Sequence, residues 1–261
     1  MNDWTRGLGS VVFVLALQSA DVYAGRPCDK ARLTVDVAER SLRLAANTSR
    51  YLDSTEARIA IVARIGRDMK PYGLKYSHFG LAYRDGSQWR VIHKLNHCGT
   101  ARADVYRQGL GDFFLDGLHQ YEAGLLVLQG EAAERLERLV SDDTKAARLH
   151  SPHYSLVAYA WGTWYQQSNQ WALETLAMAL EPSITHREQA QAWLARQGYR
   201  PGEIRVGTLE RLGARVAAAN VSFDDHPLSN RIAGRMQTVT VESVFSWVTA
   251  RGIGGPEAVV Q

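Results

Sequence analysis

The sequence predicts an α+β protein, and three patterns support this class. Apolar residues recur at intervals of three and four from Lys30 to about Asp53, as on one face of a helix. Residues 57–65 form a dense apolar run that suits a buried strand. The pair Asp85-Gly86 stands between two strand-like runs and is the turn signal of an antiparallel hairpin. Helices mixed with antiparallel strands define the α+β class.

The later elements follow from the same patterns. Residues 124–128 suggest a fourth strand, and residues 131–140 a charged amphipathic helix. An aromatic, irregular stretch leads to a helix over residues 168–180. Helices near 188–197 and 209–219, a strand over 237–241 and a last helix ending near Gly252 complete the chain. We therefore expect a core domain over residues 25–181 and a C-terminal helical extension, residues 182–261, packed on it.

The first 24 residues have the pattern of a cleavable secretory signal. Residues 11–17 are apolar, but this run is too short to span a bilayer, which needs about 20 apolar residues. Small or apolar residues precede Ala24 where a signal peptidase cuts, so we expect cleavage after Ala24 and a periplasmic or secreted protein. An uncleaved membrane anchor is the alternative reading of the same segment.

The charge balance excludes one class of partner. The formal net charge is +3, and the basic residues are dispersed along the chain, so the sequence predicts no nucleic-acid partner. After cleavage we expect no stable transmembrane segment. The substrates to consider are peptides, glycans or lipids of the cell envelope.

Cys28 and Cys98 are the two cysteines of the chain. An even count in an oxidising compartment favours one disulfide between them. The bridge would close a loop of about 70 residues and stabilise the fold by roughly 4 kcal/mol in the chain-entropy treatment. The alternative is that Cys98 is a free catalytic thiol.

His78 and His93 are the most suggestive pair of polar residues. A hairpin loop at Asp85-Gly86 would pair Arg84 with Ser87, and the same register would set His78 directly opposite His93 on one face. Two adjacent imidazoles suit proton transfer, because one accepts the proton while the other fixes its tautomer. The alternative is a pair of half-buried sheet histidines without a chemical role.

The other histidines do not indicate a metal or a cofactor. Zinc takes three or four ligands at recognisable spacings, and the remaining six histidines show no such pattern. His150 and His153, three residues apart, suggest a loop, and the run before Pro227 suggests a turn or a helix cap. We expect neither a metal nor a cofactor.

Three short motifs together resemble the circularly permuted papain-like superfamily of lecithin retinol acyltransferase and the NlpC peptidases. They are residues 76–80 (Tyr-Ser-His-Phe-Gly), residues 91–93 (Val-Ile-His) and residues 167–171 (Gln-Ser-Asn-Gln-Trp). The chain also resembles a bacterial family of exported proteins of unknown function. That family shares the Tyr-Ser-His and Ser-Asn-Gln-Trp stretches and an Asn-x-Cys-Gly stretch, here residues 96–99.

The resemblance implies three catalytic residues. His78 would be the general base, His93 the polar partner that orients it, and Ser168 the nucleophile. The superfamily carries cysteine at the last position, where a helix N-terminus stabilises a thiolate. A serine there leaves two readings open, a serine hydrolase or acyltransferase and a non-catalytic envelope binding module. Ser168 also has a structural explanation, because serine is a preferred helix cap.

Five aromatic residues precede this serine. They would line a cleft for a peptide, a glycan or an acyl chain, or else fill the core over the sheet, which is the commoner role of aromatic residues. The five are Tyr154, Tyr159, Trp161, Trp164 and Tyr165.

Overall fold

The computed structural model describes residues 33–208, 211 and 218–261. The predicted signal peptide, Cys28 and the first residues of the predicted helix from Lys30 lie outside the described residues, as does most of the helix predicted over 209–219. In the described part, no helix is long and apolar enough to cross a membrane.

The fold is built on one antiparallel sheet of six strands, in the order β4-β3-β2-β1-β5-β8. Two further strands, β6 and β7, pair with each other. The strands are β1 (Ile59–Ile65), β2 (His78–Asp85), β3 (Gln88–Asn96), β4 (Ala103–Gly109), β5 (Gln120–Val127), β6 (Gly202–Arg205), β7 (Arg235–Thr238) and β8 (Ala258–Val260).

Helices cover both faces of this sheet. The sheet and its helices confirm the predicted α+β class at this level of description. The described helices are α1 (Val35–Ser54), α2 (Leu110–Leu115), α3 (Gly130–Val140), α4 (Asp143–Ala147), α5 (Ser168–Leu180), α6 (Arg187–Arg196), α7 (Leu228–Ala233) and α8 (Val241–Ala250).

Strand alternation divides the core into two layers. On one face, Phe79 and Leu81 of β2 pack with α5, α3 and α8. On the other face, Ala82 of β2 packs with α1 and α2 through side chains such as Leu44 and Phe113. The hairpin β2–β3 therefore presents alternate residues to two different sets of helices.

The segment after residue 181 contributes to the core around the main sheet and is not purely helical. Trp193 of α6 and Val244 of α8 belong to the same buried cluster as the main sheet. The segment also contributes the β6–β7 pair, and β8 extends the main sheet beside β5. The strand predicted over 237–241 ends at Thr238, because Thr240 caps α8 by accepting a hydrogen bond from the backbone N–H of Ser243.

Candidate functional site

His78 and His93 lie on the same face of the β2–β3 hairpin, but not in the predicted register. Arg84 is paired with Trp89 rather than with Ser87, so the predicted register is wrong by two residues. The loop is Gly86-Ser87, and Gly86 has a φ of +61°, as the first loop residue of a type II′ turn requires. A shift of two residues keeps every side chain on its face, which is why the two histidines still meet.

The two imidazoles form the centre of a short chain of hydrogen bonds. Nε2 of His78 lies 2.9 Å from Nδ1 of His93, and Nε2 of His93 lies 2.8 Å from Oε1 of Gln108 on β4. His93 is fully buried, whereas His78 is partly exposed. The buried member of this chain is therefore the middle one, His93, and the two ends, Gln108 and His78, are both partly exposed.

Phe113 of α2 forms the wall behind the histidines. Its ring centroid lies 5.9 Å from that of His78 and 5.2 Å from that of His93. Arg64, the cross-strand neighbour of His78 on β1, donates a hydrogen bond to the carbonyl of Phe113 and forms a 2.6 Å ion pair with Asp116. The loop after α2 is thus tied to the sheet beside the histidines.

Ser168 is the first residue of α5, as predicted, but it is not the cap of that helix. The cap is Gln167, whose side-chain oxygen accepts a hydrogen bond from the backbone N–H of Asn169. Gln167 also donates hydrogen bonds to Thr238 Oγ1 and to the carbonyl of Val239. The alternative reading of Ser168 as a helix cap is therefore wrong.

The start of α5 is joined directly to the start of β2. The backbone N–H of Phe79 donates a 3.1 Å hydrogen bond to Oδ1 of Asn169. Ser168 and His78 each directly precede one member of this bonded pair. By strand alternation, however, the side chain of His78 lies on the face of Ala82 and Phe113, whereas α5 packs on the opposite face with Phe79 and Leu81. The hydroxyl of Ser168 is hydrogen-bonded with that of Tyr154, which is buried.

Tyr154 is the partner of Ser168 and keeps its phenol proton near neutral pH. Burial raises the pKa of Tyr154, while the hydrogen bond with Ser168 and the charge of Arg67 oppose this shift. A hydrogen bond between Ser168 and His78 stays a prediction.

The aromatic residues before α5 differ in their exposure to solvent. Tyr154 is buried, and Trp161 and Tyr159 are partly covered. Trp164 is 62% exposed, and its ring stacks on His153 with centroids 4.5 Å apart. Of the five, Trp164 therefore presents the most open aromatic surface.

A buried polar network, which the sequence did not suggest, holds the stretch before α5 in place. Glu174 of α5 accepts hydrogen bonds from Arg187, Gln166 and Gln191, and the Arg187–Glu174 pair is almost wholly buried. Arg187 also donates to the carbonyls of Thr163 and Gly162. The chain leading to Ser168 is thereby fixed to α5 and α6.

Lys94 of β3 joins the same network from the opposite side. Its Nζ donates to the carbonyl of Ser151 at 2.6 Å and to Oε1 of Gln166 at 2.8 Å. Burial, aided by the charge of Arg187, lowers the pKa of Lys94 to about 7. Charged residues of this kind usually face solvent, so their burial here was not predictable from one sequence.

The histidines outside the pair contact other groups, and two of them share one aspartate. Nε2 of His97 lies 2.8 Å from Asp104 and that of His150 lies 3.5 Å from it. His226 is buried with Nε2 at 2.7 Å from the carbonyl of Val157. In the described ranges, no group of three or more His, Cys, Asp or Glu residues could hold a metal ion.

Cys98 follows β3 in an exposed turn and is not a free thiol. The reading of Cys98 as a catalytic thiol is therefore wrong. Its expected disulfide partner, Cys28, lies outside the described residues, and the pairing stays a prediction.

The comparisons with known proteins identify the family of the chain. Residues 51–248 match the family described as "Uncharacterized protein conserved in bacteria (DUF2145)", and the protein belongs to this family. The match runs from the end of α1 to within α8 and includes His78, His93 and Ser168. Searches of curated proteins and of solved structures gave no match. The expected membership in a bacterial family of unknown function is confirmed.

Proposed function

We propose that this protein is a hydrolase or acyltransferase of the permuted papain-like type, acting on an amide or ester bond in the cell envelope. The observation that carries the proposal is the hydrogen-bonded pair His78–His93, together with the bond that joins Phe79, the residue after His78, to Asn169 in the first turn of α5. A base oriented by a second polar group, next to a hydroxyl at a helix start, is the arrangement that nucleophilic catalysis requires. A periplasmic or secreted location agrees with the signal-like N-terminus.

The residues would act in two half-reactions. His78 accepts the proton of Ser168 while Oγ attacks the carbonyl carbon of the substrate, and the same proton passes to the leaving amine or alcohol. Water or another acceptor then attacks the acyl-serine, its proton passes through His78, and Oγ recovers a proton. Water as the acceptor gives hydrolysis, and an alcohol or amine gives acyl transfer.

Labelling of an activated serine tests the proposal. The full-length protein, expressed with its own N-terminus and isolated from the cell envelope, is treated with a fluorophosphonate, which reacts with activated serines. We expect the modified residue to be Ser168, with labelling lost in Ser168→Ala and at least tenfold slower in His78→Ala. Ser87→Ala, which changes an exposed hairpin serine, is the matched control and should label normally.

Absence of labelling at Ser168 in correctly folded protein contradicts the proposal. Labelling at an unchanged rate in His78→Ala also contradicts it, because the serine would then not depend on the proposed base.

The second candidate is a non-catalytic binding module, and two observations favour it. The hydroxyl of Ser168 is engaged with Tyr154 in a buried position, and Trp164 offers an exposed ring stacked on His153. Sedimentation with purified peptidoglycan tests this candidate. Binding that survives Ser168→Ala but is lost in Trp164→Ala, without fluorophosphonate labelling, would favour the binding module over the enzyme.

A further inference from the structure

The third member of the histidine chain, Gln108, has no part in the motifs that resemble papain-like proteins. It lies on β4, directly opposite Val91 of β3, and its side chain points to the sheet face of His78 and His93. Its Oε1 lies 2.8 Å from Nε2 of His93. The contact is partly buried, since His93 is fully buried and Gln108 is partly exposed.

The orientation of this amide determines where the imidazole protons lie. An amide oxygen only accepts hydrogen bonds, so Nε2 of a neutral His93 must carry its proton. Nδ1 of His93 is then the acceptor that faces Nε2 of His78, and His78 must carry its own proton on Nε2. Nδ1 of neutral His78 is consequently the basic nitrogen.

The opposite orientation of the Gln108 amide would reverse the positions of the imidazole protons. If the amide nitrogen of Gln108 donated to His93, the proton of neutral His93 would lie on Nδ1. His78 would then accept on Nε2 and carry its proton on Nδ1, where it would be a donor rather than a base. The orientation of the Gln108 amide thus determines whether Nδ1 of His78, at the other end of the hydrogen-bond chain, accepts or donates a proton.

The chain also stabilises the protonated state of His78. When Nδ1 takes up a proton, the imidazolium keeps its Nε2–H bond to His93, and this bond becomes charge-assisted. Arg64 of β1, the cross-strand neighbour of His78, and Asp116 after α2 are charged groups of the adjacent elements, and they are paired with each other. Phe113 supplies an apolar wall on the α2 side.

We infer that Gln108 is a positioning residue, which fixes the proton of His93 on Nε2 and thereby makes Nδ1 of His78 the proton acceptor of the site. This inference rests on the proposed function for its catalytic meaning, because the base matters only if a nucleophile uses it. The protonation pattern itself is a property of the folded protein and can be measured without a substrate.

The test is nuclear magnetic resonance of the imidazole nitrogens in the ¹⁵N-labelled protein. His78→Asn and His93→Asn assign the two sets of signals among the eight histidines. At a pH where both rings are neutral, we expect both protons on Nε2. Gln108→Glu also accepts from His93, so it should keep this pattern and move the titration midpoint of His78 to higher pH by about one unit, because a negative charge favours the imidazolium.

Gln108→Leu removes the acceptor and should give a mixture of tautomers at His78. Gln88→Glu, which introduces the same charge at the exposed far end of β3, is the matched control and should change neither pattern nor midpoint. Gln108→Glu preserves the shape of the side chain, so it remains informative if the leucine variant does not fold.

Two results would overturn the inference. One is a wild-type His78 whose neutral ring carries its proton on Nδ1. The other is a Gln108→Glu protein with the midpoint of the wild type. If the tautomers are as expected while Ser168 takes up no fluorophosphonate in any variant, the proposed enzyme fails and the role of Gln108 stands.

Discussion

His93 follows Ile92, the hairpin partner of Leu81, and its Nδ1 lies 2.9 Å from Nε2 of His78, which is two residues before Gly80 on the neighbouring strand. The diagonal contact depends on the missing side chain of Gly80. A Cβ atom at that position would lie 2.4 Å from Cγ1 of Val91 and 3.1 Å from Cβ of His93. The glycine therefore provides the space in which the two imidazoles meet.

We expect Gly80→Ala to damage both the fold and the histidine pair. The added methyl group overpacks a fully buried position, which typically costs about 1–3 kcal/mol of unfolding free energy. Denaturant unfolding measures this loss, and the imidazole nitrogen signals report the contact of His78 with His93. Gly109→Ala is the control, because its Cβ would meet only Asp112 Oδ2 at 3.8 Å. Equal stability of the two variants would contradict this role of Gly80.

The sequence predicted α5 accurately and the hairpin register inaccurately, for physical reasons that differ. Apolar residues recur at helical spacing in α5, and the helix begins at Ser168 and ends at Leu180, as expected. In the hairpin, Asp85-Gly86 and Gly86-Ser87 are both acceptable two-residue loops. The choice between them depends on strand twist and packing, which local sequence does not reveal.

Other parts of the site could not be predicted at all. Strand β4 was missed because its alternating residues are mostly polar or charged and lie at the sheet edge. With β4 unrecognised, nothing pointed to Gln108 as a partner of His93. The buried pair Glu174–Arg187 was missed because its members are distant in sequence, and charged residues are usually exposed.

The Glu174–Arg187 pair should be essential to the placement of the chain before α5. Arg187→Met leaves a buried carboxylate without its cation, and such a change typically lowers the unfolding free energy by about 3–5 kcal/mol. We expect the double variant Glu174→Leu/Arg187→Met to lose less unfolding free energy than the two single variants lose in sum. Urea unfolding checks both statements.

The control for this prediction is an exposed ion pair. Arg58 is 61% exposed and lies 2.7 Å from Glu137, so Arg58→Met should cost no more than about 1 kcal/mol. A loss in Arg187→Met as small as that in Arg58→Met would mean that the buried pair does not hold the fold.

Lys94 should make stability depend on pH. Burial lowers its pKa to about 7 in the folded protein, whereas an unfolded lysine titrates near 10.4. Between these values the unfolded chain binds more protons, so the unfolding free energy rises with pH. The loss of unfolding free energy that comes from burying the charged lysine is complete below pH 7 and disappears as the pH approaches 10. It amounts to at most about 4–5 kcal/mol.

Comparison of variants isolates this contribution. Between pH 7 and pH 10 the unfolding free energy of Lys94→Met should rise less than that of the wild type. The unfolding free energy of Lys70→Met, a change at an exposed position, should rise as much as that of the wild type. Chemical denaturation at several pH values provides the measurement. Parallel curves for Lys94→Met and the wild type would show that Lys94 keeps an ordinary pKa.

Ser168→Cys is expected to give a reactive thiol at the start of α5. The N-terminus of a helix carries a partial positive charge that stabilises a thiolate, and the proposed function makes His78 the acceptor of the thiol proton. Cys98 is not a free thiol, so the introduced cysteine should dominate the reaction with iodoacetamide. We expect alkylation at pH 7 at least tenfold faster than that of Ser183→Cys, which changes an exposed serine in the turn after α5.

The dependence on His78 decides what this reactivity means. If His78 takes the proton of residue 168, His78→Ala should slow alkylation of Ser168→Cys about tenfold or more, since positioned bases contribute factors of about 10²–10⁴. The same substitution should leave the rate of Ser183→Cys unchanged. A fast reaction that ignores His78 would assign the activation to the helix terminus alone, and a slow reaction would leave the thiol buried with Tyr154. Either result would remove the chemical basis for a nucleophile at Ser168 acting with this base.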